Sequence, residues 1–171
     1  MRLFLALEPP AELRDALGRL GDIAQARCGG RRMPTASLHL TLAFLGEVDE
    51  TQVPALRAWV AERPIAAATW QLDTWGTFQR PAIVWVGGQA PDARLIALHQ
   101  AVWDGLAAFG FNDRPARFVP HVTLLRRAQR LATSELPAVD LTWPYQQLSL
   151  VHSSLDHQGA RYTTLARSPI A

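Results

Sequence analysis

The sequence predicts an α+β protein in which antiparallel strands combine with amphipathic helices. Two pairs of strand-like segments are each joined by a short polar turn, which is typical of antiparallel hairpins. Segments with helical periodicity separate the other strands, and no low-complexity linker interrupts the chain. A length of 171 residues with 49% hydrophobic content suits one compact domain, so we expect residues 1–171 to fold as a single unit.

The first half of the chain alternates strands with helices. Residues 3–7 are an apolar run typical of a strand, and residues 10–27 carry helix-spaced leucines before a pair of glycines. Residues 37–45 form a second apolar, strand-like run that ends at a glycine. A second helix is expected over about residues 50–62, because a proline follows shortly after and disfavours its continuation.

The second half contains the two hairpins, with a third helix and a further strand between them. The third helix has leucines and a valine on one face and ends at a glycine, and both hairpin turns are polar. The expected elements are, in order, strands 69–78 and 83–86, a helix over 92–109, a strand over 118–125, and a final pair of strands over 141–155 and 161–166.

Composition excludes several mechanisms and indicates a compartment. All 17 basic residues are arginine, so no nucleotidyl-lysine, Schiff base or P-loop lysine is available. Cys28 is the only cysteine, so no internal disulfide forms, and we expect a reducing, cytoplasmic location. The apolar run at residues 2–7 is shorter than a signal-peptide core, and no apolar run is long enough to span a membrane, so no membrane association is expected.

The candidate site residues come from a tetrad that occurs twice, as His39-Leu40-Thr41-Leu42 and His121-Val122-Thr123-Leu124. Side chains alternate along a strand, so the histidine and threonine of each copy point to the same side. One isolated His-x-Thr is expected by chance, but two copies in the same apolar context indicate a shared purpose. If the fold brings the strands together, two imidazoles and two hydroxyls are suited to acid–base chemistry on a phosphate.

Other uses of the histidines are poorly supported. The remaining histidines, at positions 99, 152 and 157, show no zinc-type spacing, so we expect no metal and no other cofactor. No Gly-x-Ser-x-Gly motif indicates a serine nucleophile. Both tetrads lie in stretches rich in arginine: residues 114–130 contain five arginines and no acid, although the formal net charge of the chain is only +2. Local arginine patches of this kind favour an anionic ligand.

These motifs resemble those of the two-histidine (2H) phosphoesterases, and within them the bacterial RNA 2′,3′-cyclic phosphodiesterases, also called 2′-5′ RNA ligases. The resemblance covers most of the chain. It is carried by residues 2–7, 38–48, 84–87, 120–126 and 161–165. It implies a bilobal α+β fold, with two antiparallel sheets lining a central cleft and helices packed outside.

The resemblance also implies an activity, the opening of an RNA 2′,3′-cyclic phosphate to a 2′-phosphate, with ligation as its reverse. It assigns His39 as the general acid and His121 as the general base, and gives Thr41 and Thr123 the role of holding the phosphate. The family's arginine after the second motif corresponds to Arg126.

Strand alternation raises a difficulty for this arginine. Counting from His121, strict alternation points Arg127 rather than Arg126 into the cleft. A bulge or the end of the strand after Leu125 turns Arg126 inward instead, and we expect Arg126 with Arg127 as the alternative.

The substrate's base and the partners are less defined by the sequence. Candidate stacking groups are Phe44, Trp75, Trp85 and Tyr162, although aromatic residues are more often buried in the core. The expected partner is RNA with a 2′,3′-cyclic phosphate end; we expect a monomer with no obligate protein partner. Alternative functions are a 2H phosphoesterase acting on a small cyclic nucleotide, ADP-ribose cyclic phosphate or a 2′-5′ oligonucleotide, and a non-catalytic protein that binds RNA ends.

Overall fold

A computed structural model describes residues 1–170 of the chain. It contains ten strands and three α-helices, together with short 3₁₀ turns. In chain order the elements are β1 (Arg2–Leu7), α1 (Ala11–Cys28), β2 (Arg31–Arg32), β3 (Leu40–Glu47), α2 (Val53–Ala61), β4 (Ala68–Leu72), β5 (Thr74–Phe78), β6 (Ile83–Gly87), α3 (Ala93–Leu106), β7 (His121–Arg126), β8 (Leu141–Tyr145), β9 (Ser149–Asp156) and β10 (Gly159–Arg167).

The strands form two four-stranded sheets and one small two-stranded sheet. The first, which we call the β3 sheet, has the order β10-β9-β1-β3, and the second, the β7 sheet, has the order β2-β7-β6-β5. Strands β4 and β8 pair separately. All neighbouring strands are antiparallel, which confirms the α+β class with antiparallel sheets.

Two of the expected strands are wrong as single elements. The segment 69–78 breaks at Asp73 into β4 and β5, which belong to different sheets. Asp73 anchors the break, since its N–H donates to the Gly87 carbonyl and its carboxylate accepts from the Gln89 N–H. The segment 141–155 likewise divides into β8 and β9. Strand-like residues lie on both sides of each break, so the hydrophobic pattern along the chain does not report the change of sheet.

The two motif strands begin later than expected. β3 starts at Leu40, because Thr35–Ser37 form a 3₁₀ turn. β7 starts at His121, directly after Pro120, which has no N–H to offer to a neighbouring strand. The two-residue strand β2 was not expected, and it pairs with the end of β7.

Helices α1 and α3 each pack against the motif strand that does not follow them directly in the chain. α1 precedes β3 in the chain but packs against β7, whereas α3 precedes β7 and packs against β3; α2 lies on β9 and β10. The largest cluster of buried residues accordingly includes side chains of both sheets and all three helices, among them Leu5, Leu17, Leu56, Leu106 and Leu124. Among residues 1–170, no helix is both long and apolar enough to cross a membrane.

The side chain of Arg32 fixes the segment before the first motif. It donates to the Gly18 carbonyl of α1 at 2.9 Å and to Thr35 Oγ1 at 3.0 Å, and its Nε lies 2.6 Å from Asp22 Oδ1. A Cβ atom at Gly18 would lie 2.7 Å from Thr35 Oγ1, so the helix needs glycine there for this close approach.

Candidate active site

The two tetrads meet at one cavity, although they are far apart in the chain. His39, Thr41, His121 and Thr123 all line a cavity of about 90 Å³, and Arg126 lines it too. The remaining lining residues are Met33, Ser37 and Tyr162. One motif comes from the β3 sheet and the other from the β7 sheet, so the cavity lies where the two sheets face each other.

Both imidazoles are oriented by backbone carbonyls in the same way. His39 Nδ1 lies 2.7 Å from the Ser37 carbonyl oxygen, and His121 Nδ1 lies 2.7 Å from the Val119 carbonyl oxygen. A carbonyl oxygen only accepts, so Nδ1 carries the hydrogen and donates it. Each neutral ring therefore has its lone pair on Nε2, which is the nitrogen available for proton transfer.

The surroundings of His39 favour its neutral form. Its ring stacks on Phe4 at a centroid distance of 4.7 Å and meets the edge of Tyr162 at 5.4 Å. Burial is the main cause that lowers the pKa of His39 to about 4, and the positive charges of His121 and Arg126 lower it further. The Ser37 carbonyl and the carboxylate of Glu8 act in the opposite direction.

His39 also bonds to the threonine of its own motif. Its Nε2 lies 2.8 Å from Thr41 Oγ1, so the neutral ring accepts the hydroxyl hydrogen. When His39 is protonated, Nε2 becomes a donor and the Thr41 hydroxyl hydrogen is free to turn to another acceptor.

His121 lies against a different pair of aromatic residues. Phe78 meets its ring edge-on at 5.0 Å, and Trp85 lies at 5.8 Å with a tilted ring. Burial lowers the pKa of His121, and the positive charge of Arg126 adds to this effect, while the Val119 carbonyl opposes it. Both histidines are therefore neutral in the free protein at pH 7.

A bulge in β7 sets the direction of the arginine that follows. Trp85 of β6 is paired with Thr123 and Val84 with Leu125, so Leu124 is an extra residue in the ladder. Leu124 and Leu125 are both buried as a result, and alternation resumes with Arg126 on the same side as Thr123. Arg126 lines the cavity, whereas Arg127 follows it with φ 52, beyond the end of the strand.

The four candidate stacking residues lie in different places. Tyr162 lines the cavity and Phe44 lies beside it, half-exposed, in a neighbouring groove. Trp85 lies beside the His121 ring, and Trp75 packs against the core with its Nε1 donating to the Pro137 carbonyl.

Sequence reasoning missed several groups that shape the site. Phe4 contacts His39 from β1, Phe78 contacts His121 from β5 on the far side of β6, and the carbonyls of Ser37 and Val119 orient the rings. Knowledge of the order of strands in each sheet could have found the phenylalanines, but the two carbonyls leave no signal in the side-chain pattern. Among residues 1–170, no group of three or more His, Cys, Asp or Glu side chains is arranged to hold a metal ion.

The arrangement is that of a two-histidine site for proton transfer next to a cationic side chain. A family model described as the 2′-5′ RNA ligase superfamily matches residues 9–156. The chain therefore belongs to this superfamily, the 2H phosphoesterases, as its two tetrads indicated.

Relatives and solved structures agree with this membership. The chain is 33% identical over 166 residues to the RNA 2′,3′-cyclic phosphodiesterase of Escherichia coli, covering 97% of this chain and 94% of the relative. It is 32% identical over 180 residues to the protein of that name from Thermus thermophilus, with coverage of 98% and 89%. The crystal structure of E. coli LigT complexed with 3′-AMP matches at a TM-score of 0.82 and 32% identity, covering 97% and 95%.

Proposed function

We propose that this protein hydrolyses the 2′,3′-cyclic phosphate at RNA ends to a 2′-phosphomonoester without a metal ion. The observation that carries the proposal is the pair of imidazoles, each fixed through Nδ1, on one cavity with Arg126. Its relatives in E. coli and T. thermophilus are named RNA 2′,3′-cyclic phosphodiesterases, which supports this choice of substrate.

In the proposed reaction the two histidines have opposite roles. His121 Nε2 takes a proton from water, and the water oxygen forms a bond to phosphorus. The bond between phosphorus and O3′ breaks, and His39 donates its Nε2 proton to O3′. An in-line displacement needs the base and the acid on opposite sides of phosphorus, which two facing strands can provide.

The other polar groups of the cavity would bind the phosphate oxygens. Thr123 and Thr41 donate hydrogen bonds to the non-bridging oxygens, and Arg126 stabilises the negative charge that develops on them. Because protonation of His39 frees the Thr41 hydroxyl hydrogen, the acid and this phosphate ligand become competent together.

Substrate binding is part of the proposed protonation cycle. His39 has a pKa of about 4 in the free protein, so the acid form is scarce at pH 7. The anionic phosphate favours the protonated ring and raises this pKa on binding. If a ribose 5′-hydroxyl replaces water as the nucleophile, its oxygen forms the bond to phosphorus, the bond to O3′ breaks, and the product is a 2′-5′ phosphodiester made without ATP. The proposal includes a cytoplasmic location, which the buried, unpaired Cys28 supports, and a monomeric protein.

The test is hydrolysis of a short RNA with a 2′,3′-cyclic phosphate end in the presence of EDTA. The native protein should yield a 2′-phosphate, and His39→Ala and His121→Ala should be nearly inactive while folded. His157→Ala, at an exposed turn, is the matched control and should behave as the native protein does. Turnover of small cyclic nucleotides or ADP-ribose cyclic phosphate, but not of RNA, would show that a small molecule is the substrate instead. Tight RNA binding without turnover would exclude catalysis.

A further inference from the structure

A groove of about 440 Å³ adjoins the catalytic cavity and shares His39, Thr41 and Arg126 with it. Its outer part is lined by residues that do not reach the cavity, and no acidic residue lines any part of it. These outer residues include Arg2, Arg31, Phe44, Ser153 and Leu155. The groove therefore offers positive charge and apolar surface beyond the space needed for one phosphate.

A β-bulge directs Phe44 into this groove, as a β-bulge in β7 directs Arg126 into the cavity. In β3, Ala6 is paired with Thr41 and Leu5 with Ala43, so Leu42 is an extra residue in the ladder. Leu42 and Ala43 are both buried, and Phe44 returns to the side of Thr41. Phe44 and Arg126 are thus equivalent positions, each three residues after the threonine of a motif.

The side chain of Phe44 is highly exposed to solvent for a large aromatic residue in a strand. Its side chain is 49% exposed, and nearby Leu155 is 84% exposed. The guanidinium of Arg2 lies over the Phe44 ring at 4.7 Å from its centroid, and both side chains line the groove. Exposed aromatic rings beside arginines are typical stacking platforms for single-stranded nucleic acid.

The arginines indicate which part of an RNA strand would lie here. Arg126 already serves the catalytic cavity, whereas Arg2 and Arg31 line only the groove. Two further cations match a second phosphate, which an RNA chain has and a mononucleotide lacks. Thr41 and Phe44 pair with Ala6 and Phe4, which are two residues apart on β1, so the strand rise places Phe44 about 7 Å from Thr41 along the sheet. This separation leaves space for the terminal ribose between them.

We propose that this groove binds the nucleotide on the 5′ side of the terminal one, with its base on Phe44 and the linking phosphodiester near Arg2 and Arg31. This inference rests on the proposed function, because it names the substrate of that site as an RNA chain of at least two nucleotides. The protein then prefers RNA ends to free nucleoside 2′,3′-cyclic phosphates.

The experiment compares kcat/KM for a nucleoside 2′,3′-cyclic phosphate and for a dinucleotide with the same terminal nucleoside. The native protein should favour the dinucleotide by about 10-fold or more, the usual range for one stacked base. Phe44→Ala should lower this ratio about 10-fold, and Phe44→Tyr should restore it. Ile23→Ala removes a similarly exposed side chain from α1, outside the groove, and should leave the ratio unchanged.

An unchanged ratio in Phe44→Ala, or a native protein with no preference, would overturn the inference. Calorimetric binding of a nucleoside 2′-phosphate and of a dinucleotide ending in a 2′-phosphate gives a second readout that needs no turnover. If the native protein hydrolyses neither substrate, the proposed function fails. The groove is then supported by tighter dinucleotide binding that Phe44→Ala removes, and is refuted by equal binding.

Discussion

The His39 and His121 motifs have matching backbones but unlike surroundings. In each motif the histidine and threonine face the cavity, the fourth residue is bulged, and the sixth returns to the same side. That sixth residue is Phe44 in β3 and Arg126 in β7. His39 lies flat on an aromatic ring and bonds to Thr41, whereas His121 meets its aromatic neighbour edge-on.

This comparison shows that two motifs with the same backbone geometry can hold side chains with different chemical roles. One copy supplies a cation at the position after the bulge, and the other supplies an apolar ring. The two imidazoles also differ in that only His39 has a carboxylate, Glu8, acting to raise its pKa against the effect of burial. The two histidines are therefore not interchangeable, and variants of equivalent positions test this asymmetry directly.

The largest effect is expected from the histidines themselves. His39→Ala and His121→Ala should each lower kcat/KM by about 1000-fold, because each removes a proton-transfer group. The double variant should be little worse than either single variant, since the two groups act as a unit. Steady-state kinetics on a cyclic-phosphate RNA checks this, and multiplicative losses would show that the two histidines act independently.

The next effect separates the two adjacent arginines. Arg126→Ala should lower kcat/KM by about 100-fold, because it removes positive charge from the cavity. Arg127→Ala is the matched control and should remain within twofold of the native protein, since Arg127 lies beyond the strand end. If Arg127→Ala caused the greater loss, the bulge at Leu124 would not set the direction of the functional arginine.

The pH dependence of kcat/KM should be displaced to the acid side. The base His121 must be neutral, so activity rises as pH rises through its lowered pKa. The acid His39 must be protonated, so activity falls as pH rises above its pKa of about 4 in the free protein. The maximum should lie below pH 6.5, with a decline approaching 10-fold per pH unit above it. A maximum above pH 7 would contradict the lowered pKa values of the two histidines.

The smallest effect concerns stability. The pKa of His39 is about 4 when folded and near 6.5 when unfolded, so between these values the unfolded chain binds more protons. Stability is therefore lost as pH falls through this window, by about 1 kcal/mol between pH 7 and pH 5.5, or roughly 3 °C in Tm. His39→Gln should show a correspondingly smaller drop in thermal melts. An equal drop in both proteins would attribute the acid sensitivity to other groups.

The sequence was sufficient for features that depend on neighbouring residues in the chain. The two tetrads, the helix periodicities and the antiparallel hairpins all follow from local pattern, and the family resemblance is confirmed. The bulges at Leu42 and Leu124 depend on which residues pair across the sheet, so alternation alone placed Arg127 instead of Arg126 toward the site. The break at Asp73 was also missed. Strand-like composition continues on both sides of it, and only the pairing shows that the two strands belong to different sheets.

The crossed packing of the helices has a consequence for cooperativity. The apolar side of α1 is covered by the β7 sheet, and α3 lies on β3, so each half of the chain contributes a helix to the other's sheet. A fragment that ends between β6 and α3 would leave α1 without the strand that buries it. We expect neither this fragment nor the remaining part of the chain to fold alone. The whole chain should unfold in a single transition, in which the cleft and its two imidazoles are lost together.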